Sequence, residues 1–368
     1  MLALAAAMGI GRFVYTPILP SMMTQLGLTA GEAGLIASAN YLGYLLGALA
    51  SAGGWAAGRE RAIMLSGLGA SAVLAATMGL TTSAAAFVAI RFLAGLASAF
   101  VMVFAAAIVF GRLAAAGRSD LQSVHFAGVG VGIAISAVMI ALLHVASAGW
   151  AAAWFWSGAI SAAALAGVAV LAERGPPAAA GAPAREPGLP RNRALTSIIL
   201  AYGLFGFGYI VTATFLVAIV RQNGEGPLFE SLVWLVTGVV IVPSIYLWQQ
   251  VAGRIGLAKA FAAGCAVEAA GVVASVALGG KSGPIIGGAL LGGTFVAITA
   301  LGLQLGRLAA PDAPRRVFAL MTASFGFGQI VGPVVAGIAA EATGSYLWPS
   351  LAAALALVIG ALLVVRAD

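Results

Sequence analysis

The sequence predicts an all-α polytopic membrane protein with twelve transmembrane helices, arranged as two bundles of six. Three observations lead to this prediction. Charged residues make up only 8% of the 368-residue chain, whereas a soluble domain carries about 25%. Hydrophobic residues make up 62% and are concentrated in long runs; a membrane helix needs about 20 of them. This composition excludes a soluble enzyme, a nucleic-acid-binding protein and a disordered scaffold.

The apolar runs define twelve spans that are separated by short polar or glycine-rich breaks. Continuous runs of this length exclude an outer-membrane barrel, in whose strands of about 10 residues apolar and polar side chains alternate. The 50 glycines suit closely packed membrane helices, because small residues let two backbones approach. The predicted spans are 1–24, 33–57, 62–82, 84–111, 121–146, 150–172, 194–220, 231–252, 257–279, 283–306, 316–340 and 346–365.

Basic residues predict the orientation of the spans, because cytoplasmic loops of membrane proteins are enriched in Lys and Arg. With a cytoplasmic N-terminus, only Arg221 and Lys281 fall outside, while Arg12 and Arg91 fall within spans. The cytoplasmic side then holds Arg59, Arg61, Arg112, Arg118, Arg174, Arg185, Arg191, Arg193, Arg254, Lys259, Arg307, Arg315, Arg316 and Arg366. The sequence therefore predicts a multi-pass protein of the inner or plasma membrane with both termini in the cytoplasm.

The longest polar break covers residues 173–193 and predicts a cytoplasmic linker. Proline and charge at this density cannot form a membrane helix. The break divides the chain into an N-terminal six-helix bundle (1–172), the linker (173–193) and a C-terminal six-helix bundle (194–368). Because six is even, both halves enter the membrane from the same side, as parallel repeats do.

Short matching motifs indicate that the two halves arose by duplication. Residues 9–14 (GIGRFV) in span 1 resemble residues 206–211 (GFGYIV) in span 7. Spans 5 and 11 both carry glycines four residues apart, which predict packing or hinge positions that let the halves slide or bend. These positions are Gly128, Gly132, Gly328, Gly332 and Pro333.

The chain resembles the major facilitator superfamily of secondary transporters in its twelve spans, its two repeats of six spans each and its central cytoplasmic loop. Arg91-x-x-x-Gly95 is similar to its helix-4 arginine motif, and the glycine-proline string of span 11 to another of its motifs. The loop Arg59-Glu60-Arg61 resembles its Gly-x-x-x-Asp-Arg motif, but Gly58 stands where the acid belongs. Either Glu60 replaces that acid, or the usual latch between this loop and the neighbouring helices is lost.

The string 9–20 (GIGRFVYTPILP) more narrowly resembles the opening signature of the YbfB/YjiJ-like transporters. Residues 202–209 (YGLFGFGY) and 328–333 (GQIVGP) resemble motifs of the same family. The resemblance covers essentially the whole chain. It implies a transporter that works by alternating access, in which helices 1, 4, 7 and 10 line a central cavity.

Two arginines inside spans are the first candidates for the substrate site, because a charged residue is costly within a membrane helix. Arg12 would bind an anionic group such as a carboxylate, and Tyr15 and Thr16, three and four positions on, are expected on the same helix face. The alternative for Arg12 is a structural side chain bonded to backbone carbonyls. Arg91 is expected in a cavity or gating role, or otherwise extends to the membrane surface.

Two titratable residues are candidates for proton coupling. Glu268 is the only acid deep within a predicted span, and His125 lies one turn into span 5. The alternatives are a neutral, hydrogen-bonded glutamate that has no role in coupling and an interfacial histidine with satisfied hydrogen bonds. Glu32 is expected to cap the N-terminus of helix 2.

Uncharged polar residues in the cavity-lining spans complete the predicted substrate site. Each of them is an alternative candidate for a plain interhelical hydrogen bond. They are Asn40, Tyr44, Tyr202, Tyr209, Thr212 and Gln329.

The leading functional hypothesis is a secondary active transporter of a small anionic organic solute, with proton coupling as one option and anion exchange as another. The alternatives are an exporter of amphipathic or toxic compounds and, less favoured, a membrane sensor or scaffold that transports nothing. An enzyme is not expected, and neither is a cofactor, a metal site or a nucleic-acid partner. The expected partners are a small-molecule substrate and the lipid bilayer, and the protein is expected to be a monomer.

Overall fold

A computed structural model describes residues 1–52, 55–118, 121–172, 187–190 and 192–366. Within these residues, twelve helices are long and apolar enough to cross a membrane, which confirms the predicted fold class. Most of the predicted linker 173–193 lies outside the described residues. The helices are α1 (Leu2–Leu26), α2 (Ala30–Ser51), α3 (Glu60–Met78), α4 (Ala84–Ala115), α5 (Gln122–Val145), α6 (Trp150–Leu171), α7 (Arg193–Gln222), α8 (Pro227–Ile255), α9 (Leu257–Ala277), α10 (Ser282–Ala309), α11 (Pro314–Thr343) and α12 (Leu347–Val365).

The bounds of α2 differ from the predicted span 33–57. The helix begins at Ala30 because Thr29 is its N-cap: the Thr29 hydroxyl accepts from the Glu32 N–H, and the Glu32 carboxylate accepts from the Thr29 N–H. Glu32 is therefore the third residue of a capping box, and the expectation that it is the cap itself was wrong. The helix ends at Ser51, ahead of a turn in which Gly58 has a positive φ of 76°.

Helix α1 is interrupted in its middle, although the sequence predicts one continuous span. Residues Ala5–Ile10 are wound more loosely, with the Gly11 N–H bonded to the Ala6 carbonyl five residues back. Residues 11–14 form a turn before the α-helix resumes at Tyr15. Pro17 and Pro20 lack N–H groups and so withhold two bonds from the resumed helix. The interruption leaves main-chain carbonyls that need donors from other helices.

Glycines set how closely the helices pack. A Cβ added to Gly43 of α2 would collide with the Phe92 carbonyl of α4, and one on Gly95 of α4 with the Asn40 carbonyl of α2. The backbones of α2 and α4 are therefore in direct contact, as small residues permit in membranes.

The predicted hinge glycines also lie at helix contacts. Gly128 and Gly132 of α5 pack on the α1 backbone, at the carbonyls of Met1 and Ala5. Gly328 and Gly332 of α11 pack correspondingly on α7. The structure thus assigns these glycines to close packing, and their role as hinges remains a prediction.

The two bundles meet along α2–α11 and α5–α8. The loops after α1, α3, α5, α7, α9 and α11 lie at one end of the molecule, here the Thr29 end, and the loops after α2, α4, α8 and α10 lie at the Arg61 end. Near the Thr29 end, Gly34 of α2 packs against the Pro333 carbonyl of α11. The Gly31 N–H donates to Glu341 at 3.0 Å. The bundles are therefore joined at the Thr29 end.

The Glu341 contact predicts a testable latch, because a carboxylate at a helix N-terminus is stabilised by the helix dipole. Glu341→Gln is expected to weaken closure of the Thr29 end by about 0.5–1 kcal/mol, or about two- to fivefold in the conformational equilibrium. The reporter is the maleimide-labelling rate of Ala218→Cys, since Ala218 is 6% exposed and lines a cavity of about 450 Å³ at this end. The native Cys265 is buried and stays unlabelled. An unchanged rate would contradict the latch.

Candidate functional site

Arg12 lies at the interruption of α1 and is 3% exposed. Its Nη2 donates to Gln329 Oε1 of α11 at 3.0 Å, so the contact joins the two bundles. Its guanidinium carbon lies 4.2 Å from the ring centroid of Tyr44 and 4.8 Å from that of Tyr41, both on α2. These are cation–π distances. The Arg12 cluster is defined here as Arg12, Tyr41, Tyr44, Gln329 and Tyr209.

Gln329 connects Arg12 to an aromatic wall in the second bundle. Its Nε2 donates to the Tyr209 hydroxyl of α7. The Tyr209 ring is stacked against Phe295 of α10, with centroids 5.4 Å apart, and against Phe325 of α11 at 5.6 Å. Rings packed on both faces hold the hydroxyl in place beside Gln329.

No described carboxylate pairs with Arg12. Its Nε is buried and has no hydrogen-bond partner among the described residues, and Gln329 offers a neutral oxygen. The ion pair Arg221–Glu230 lies instead near the Thr29 end, where the two side chains are joined by two bonds of 2.7 Å. An arginine that is buried without a counterion is unfavourable in a membrane protein, and an anionic ligand would relieve that cost.

Arg91 donates hydrogen bonds to the backbone of α1. Its Nη1 donates to the Gly11 carbonyl at 2.9 Å and its Nη2 to the Arg12 carbonyl at 2.8 Å. Its guanidinium also lies against the rings of Tyr15 and Trp154. The two carbonyls belong to the interrupted turn, so Arg91 supplies the donors that the helix itself lacks there. Its terminal nitrogens are thus engaged inside the first bundle, and its role as a substrate ligand remains a prediction.

Tyr15 and Thr16 bond to groups outside the Arg12 cluster, and their role at the substrate remains a prediction. The Tyr15 hydroxyl donates to the Ala33 carbonyl of α2, and the Thr16 hydroxyl donates to the Ala213 carbonyl of α7 at 2.6 Å. The expectation of a shared face with Arg12 assumed a regular helix, in which residues three and four apart align. Residues 11–14 form a turn in which this spacing rule does not strictly apply; the Tyr15 ring lies against Arg91, and Thr16 bonds the second bundle.

The remaining predicted substrate residues lie around the cluster and are engaged differently. Asn40 Nδ2 donates to the Arg91 carbonyl at 2.9 Å, and the Tyr202 hydroxyl donates to the Thr299 carbonyl at 3.1 Å. The Thr212 hydroxyl is buried and has no partner among the described residues. Tyr202 also stacks on Phe325. Sequence reasoning missed Phe295 and Phe325, since two phenylalanines among 17 carry no distinguishing signal.

Neither proton-coupling candidate is a member of the Arg12 cluster. Glu268 is 1% exposed in α9, with Oε2 3.0 Å from the Thr294 hydroxyl of α10. His125 is packed between Phe110 and Phe126, beside a cavity of about 220 Å³. Its two ring nitrogens have no partner among the described residues.

Within the described part of the chain, Glu60 forms no interhelical latch. Glu60 Oε1 accepts from the Gly58 N–H of its own loop at 3.1 Å. Arg61 contacts a neighbouring helix instead, donating to the carbonyls of Ala169 and Ala172 at 2.7 and 2.5 Å. Arg61 therefore caps the C-terminus of α6, where a cation is favoured by the dipole. Arg59 is the N-cap residue of α3.

The fold and the site together define a class of protein. Two six-helix bundles meet around a buried cation, and no described carboxylate forms an ion pair with it. This is the architecture of a secondary transporter. The chain belongs to the family described as "Uncharacterised MFS-type transporter YbfB", whose model matches residues 4–365. This confirms the resemblance found in the sequence motifs.

Solved structures of similar fold are transporters. A mutant of the nucleoside transporter NupG gives a TM-score of 0.81 at 15% identity, covering 100% of this chain and 98% of that one. A bacterial homologue of the human lysosomal transporter Spinster, in an inward-facing and occupied conformation, gives a TM-score of 0.72 at 14% identity, covering 100% of this chain and 95% of that one. The POT family transporter PepTSo gives a TM-score of 0.72 at 14% identity, covering 100% of this chain and 96% of that one. At these identities the likeness shows the fold alone. No curated protein matches the sequence.

Proposed function

We propose that this protein is a secondary active transporter of a small organic anion, which binds at Arg12 between the two bundles. The observation that carries the proposal is the buried guanidinium without a carboxylate partner among the described residues. A bound carboxylate would accept from Arg12 in place of Gln329 Oε1, with a charge-assisted bond in place of a neutral one.

The neighbours of Arg12 support an anion with an apolar body. The Tyr209 hydroxyl accepts from Gln329 and keeps its own proton for donation, because no described acceptor takes it. Tyr44, a member of the cluster, and Phe325, which stacks on Tyr209, are half-buried and lie on opposite bundles. Aromatic faces with one cation and one hydroxyl donor suit a compact carboxylate better than a sugar-like polyol.

The proposed transport cycle is alternating access by rocking of the two bundles, residues 1–172 and 194–368, in a monomer. In this conformation the bundles are joined at the Thr29 end through Gly31 and Glu341. The charge pattern supports a cytoplasmic Arg61 end, with both termini on that side. The cycle would then open the Thr29 end to the outside, and the direction of net transport would depend on the coupling gradient.

The solved structures of similar fold suggest other substrates, and the Arg12 cluster distinguishes between these substrates and an anion. NupG is a nucleoside transporter, but a neutral nucleoside bound here would leave Arg12 without a counterion. An exporter of amphipathic compounds is the second candidate, favoured by the stacked rings of Tyr202, Phe325, Tyr209 and Phe295. Preference for a cationic amphiphile would argue for that candidate and against the anion site.

The test is a thermal-shift screen of the purified protein against small carboxylates, each paired with its neutral amide, such as benzoate with benzamide. A ligand that binds the native state raises the melting temperature. We expect acids to stabilise the wild type and amides to have no effect. Arg12→Gln is expected to weaken acid binding more than about a hundredfold, equivalent to about 3 kcal/mol for an arginine–carboxylate contact.

The control is Arg307→Gln, which removes an exposed arginine at the end of α10 and should bind acids as the wild type does. Equal stabilisation of Arg12→Gln and wild type by every ligand found would overturn the proposed anion site.

A further inference from the structure

Glu268 lies in a position where its protonation state can be read from hydrogen-bond geometry. Its Oε2 is 3.0 Å from the Thr294 hydroxyl oxygen. The same hydroxyl oxygen is 2.6 Å from the Leu290 carbonyl and 3.3 Å from the Leu291 carbonyl. Glu268 Oε1 is buried and has no partner among the described residues.

The number of available protons decides which group donates. A threonine hydroxyl has one proton, and a carbonyl can only accept. The contact with the Leu290 carbonyl is the shortest of the three, so the Thr294 proton is directed there. The contact between Thr294 and Glu268 is then a hydrogen bond only if the carboxyl group donates. This geometry therefore favours a protonated, neutral Glu268.

The surroundings of Glu268 also disfavour an ionised carboxylate. Lys259 on α9 and Arg307 on α10 are nine and thirteen residues along their helices from Glu268 and Thr294, or about 14 and 20 Å at 1.5 Å per residue. Helix α12 carries no titratable side chain. The described titratable groups near Glu268 are Cys265 and Tyr209, which are neutral, and the nearest basic residue on α8 is the terminal Arg254. An unpaired buried carboxylate costs several kcal/mol.

Helix α10 connects Glu268 to the contact between the bundles. Phe295, next to Thr294, packs edge-on against Phe13 of the first bundle at 5.6 Å and stacks on Tyr209 at 5.4 Å. Rocking of the bundles would move Phe13 relative to Phe295. Gly292 and Gly293 directly precede Thr294 and lower the resistance of α10 to bending. Movement of this segment would break the contact between Thr294 and Glu268.

We propose that Glu268 is a proton-binding site that is occupied in this conformation and releases its proton when the bundles rearrange. This rests on the proposed function, because it supplies the coupling ion for transport of the anion. One proton bound at Glu268 and one monoanion at Arg12 enter together, and the carboxylate left after release is solvated in the other conformation. The proton thus moves between the two sides of the membrane without any covalent step.

The first test is infrared spectroscopy of the purified full-length protein at neutral pH, with no substrate present. The wild type is expected to show the C=O stretch of a protonated carboxylic acid that is absent from Glu268→Gln, an isosteric amide that can still donate to Thr294. If Glu268→Gln does not fold, Glu268→Leu, which needs no donor, replaces it. A difference spectrum that contains carboxylate bands alone would overturn the proposal.

The second test follows the conformational equilibrium by the maleimide-labelling rate of Ala218→Cys at the Thr29 end. Raising the pH removes the proton and favours the other conformation, so labelling accelerates by up to about tenfold per pH unit, the limit for one proton, beyond the rise that thiolate formation alone causes. Glu268→Gln should lose this additional acceleration, while the effect of thiolate formation and the contributions from Glu341 and His144 persist in both proteins. The same pH profile in both would overturn the proposal.

Arg12→Gln separates this proposal from the proposed function. It removes the anion site but leaves Glu268, Thr294 and Leu290 in place, so the infrared band and the pH-dependent labelling should both remain. Loss of acid binding in Arg12→Gln with an unchanged band confirms two separate sites. Loss of the band in Arg12→Gln would show that Glu268 is not an independent proton site.

Discussion

Replacing Arg91 by methionine is expected to destabilise the protein by about 2–6 kcal/mol, since two buried carbonyls lose their donors at about 1–3 kcal/mol each. Those carbonyls belong to Gly11 and Arg12 in the interrupted turn of α1. Methionine keeps the length and most of the apolar volume, so the effect reports the lost hydrogen bonds rather than a cavity. Arg91→Lys should recover part of the loss, because one ammonium cannot reproduce the two parallel guanidinium bonds.

The measurement is the midpoint of thermal unfolding in detergent, together with the yield of monodisperse protein. Arg254→Met is the control, since Arg254 is exposed near the end of α8 and should lower the midpoint little. If Arg91→Met and Arg254→Met unfold at the same temperature, Arg91 does not support the turn. Wild-type stability in Arg91→Met combined with loss of acid binding would instead support the predicted role of Arg91 at the substrate.

The second large effect is expected from adding one methyl group at Gly43. Its Cβ would meet the carbonyl of Phe92, a backbone group of α4 that cannot rotate away. Overpacking a core costs about 1–3 kcal/mol when side chains can adjust. Here the helices themselves must separate, so Gly43→Ala is expected to cost about 3 kcal/mol or more and to lower the yield of folded protein strongly.

Gly111→Ala is the matched control, because Gly111 is an exposed helical glycine with nothing within 4 Å of the added Cβ. Alanine should be neutral or stabilise the helix there by up to about 1 kcal/mol. Thermal unfolding of the two single variants side by side separates packing from helix propensity. Similar midpoints for both would contradict direct backbone contact between α2 and α4.

Much of the fold could be predicted because its causes are local to each segment. Twelve apolar runs give twelve helices, since a membrane leaves a backbone segment of this length no other way to satisfy its polar groups. Helix ends were predicted less well: α2 begins at Ala30 because of a capping box with Thr29. The interruption of α1 was also missed, because its looser turns have the same composition as a regular helix.

The candidate site was predicted only in part. Arg12, Tyr44, Tyr209 and Gln329 were all chosen from the sequence, and the structure brings them into one cluster. Tyr15 was assigned to the same face by helical spacing, which is reliable only in a regular helix, and its hydroxyl bonds the Ala33 carbonyl across the turn at 11–14. Arg91 was chosen for its charge, but its partners are main-chain carbonyls, which have no signature in a sequence.

By itself the sequence determined that this is a membrane protein of twelve helices and that very few charges lie within them. Both follow from the transfer energy of individual residues, which depends on composition and not on neighbours. Only the tertiary structure decided which groups lie beside each buried charge. Arg91 has two carbonyl partners and Arg12 has one neutral amide. That difference arises from contacts between helices distant in sequence, because the energy of a buried charge depends on the groups brought beside it.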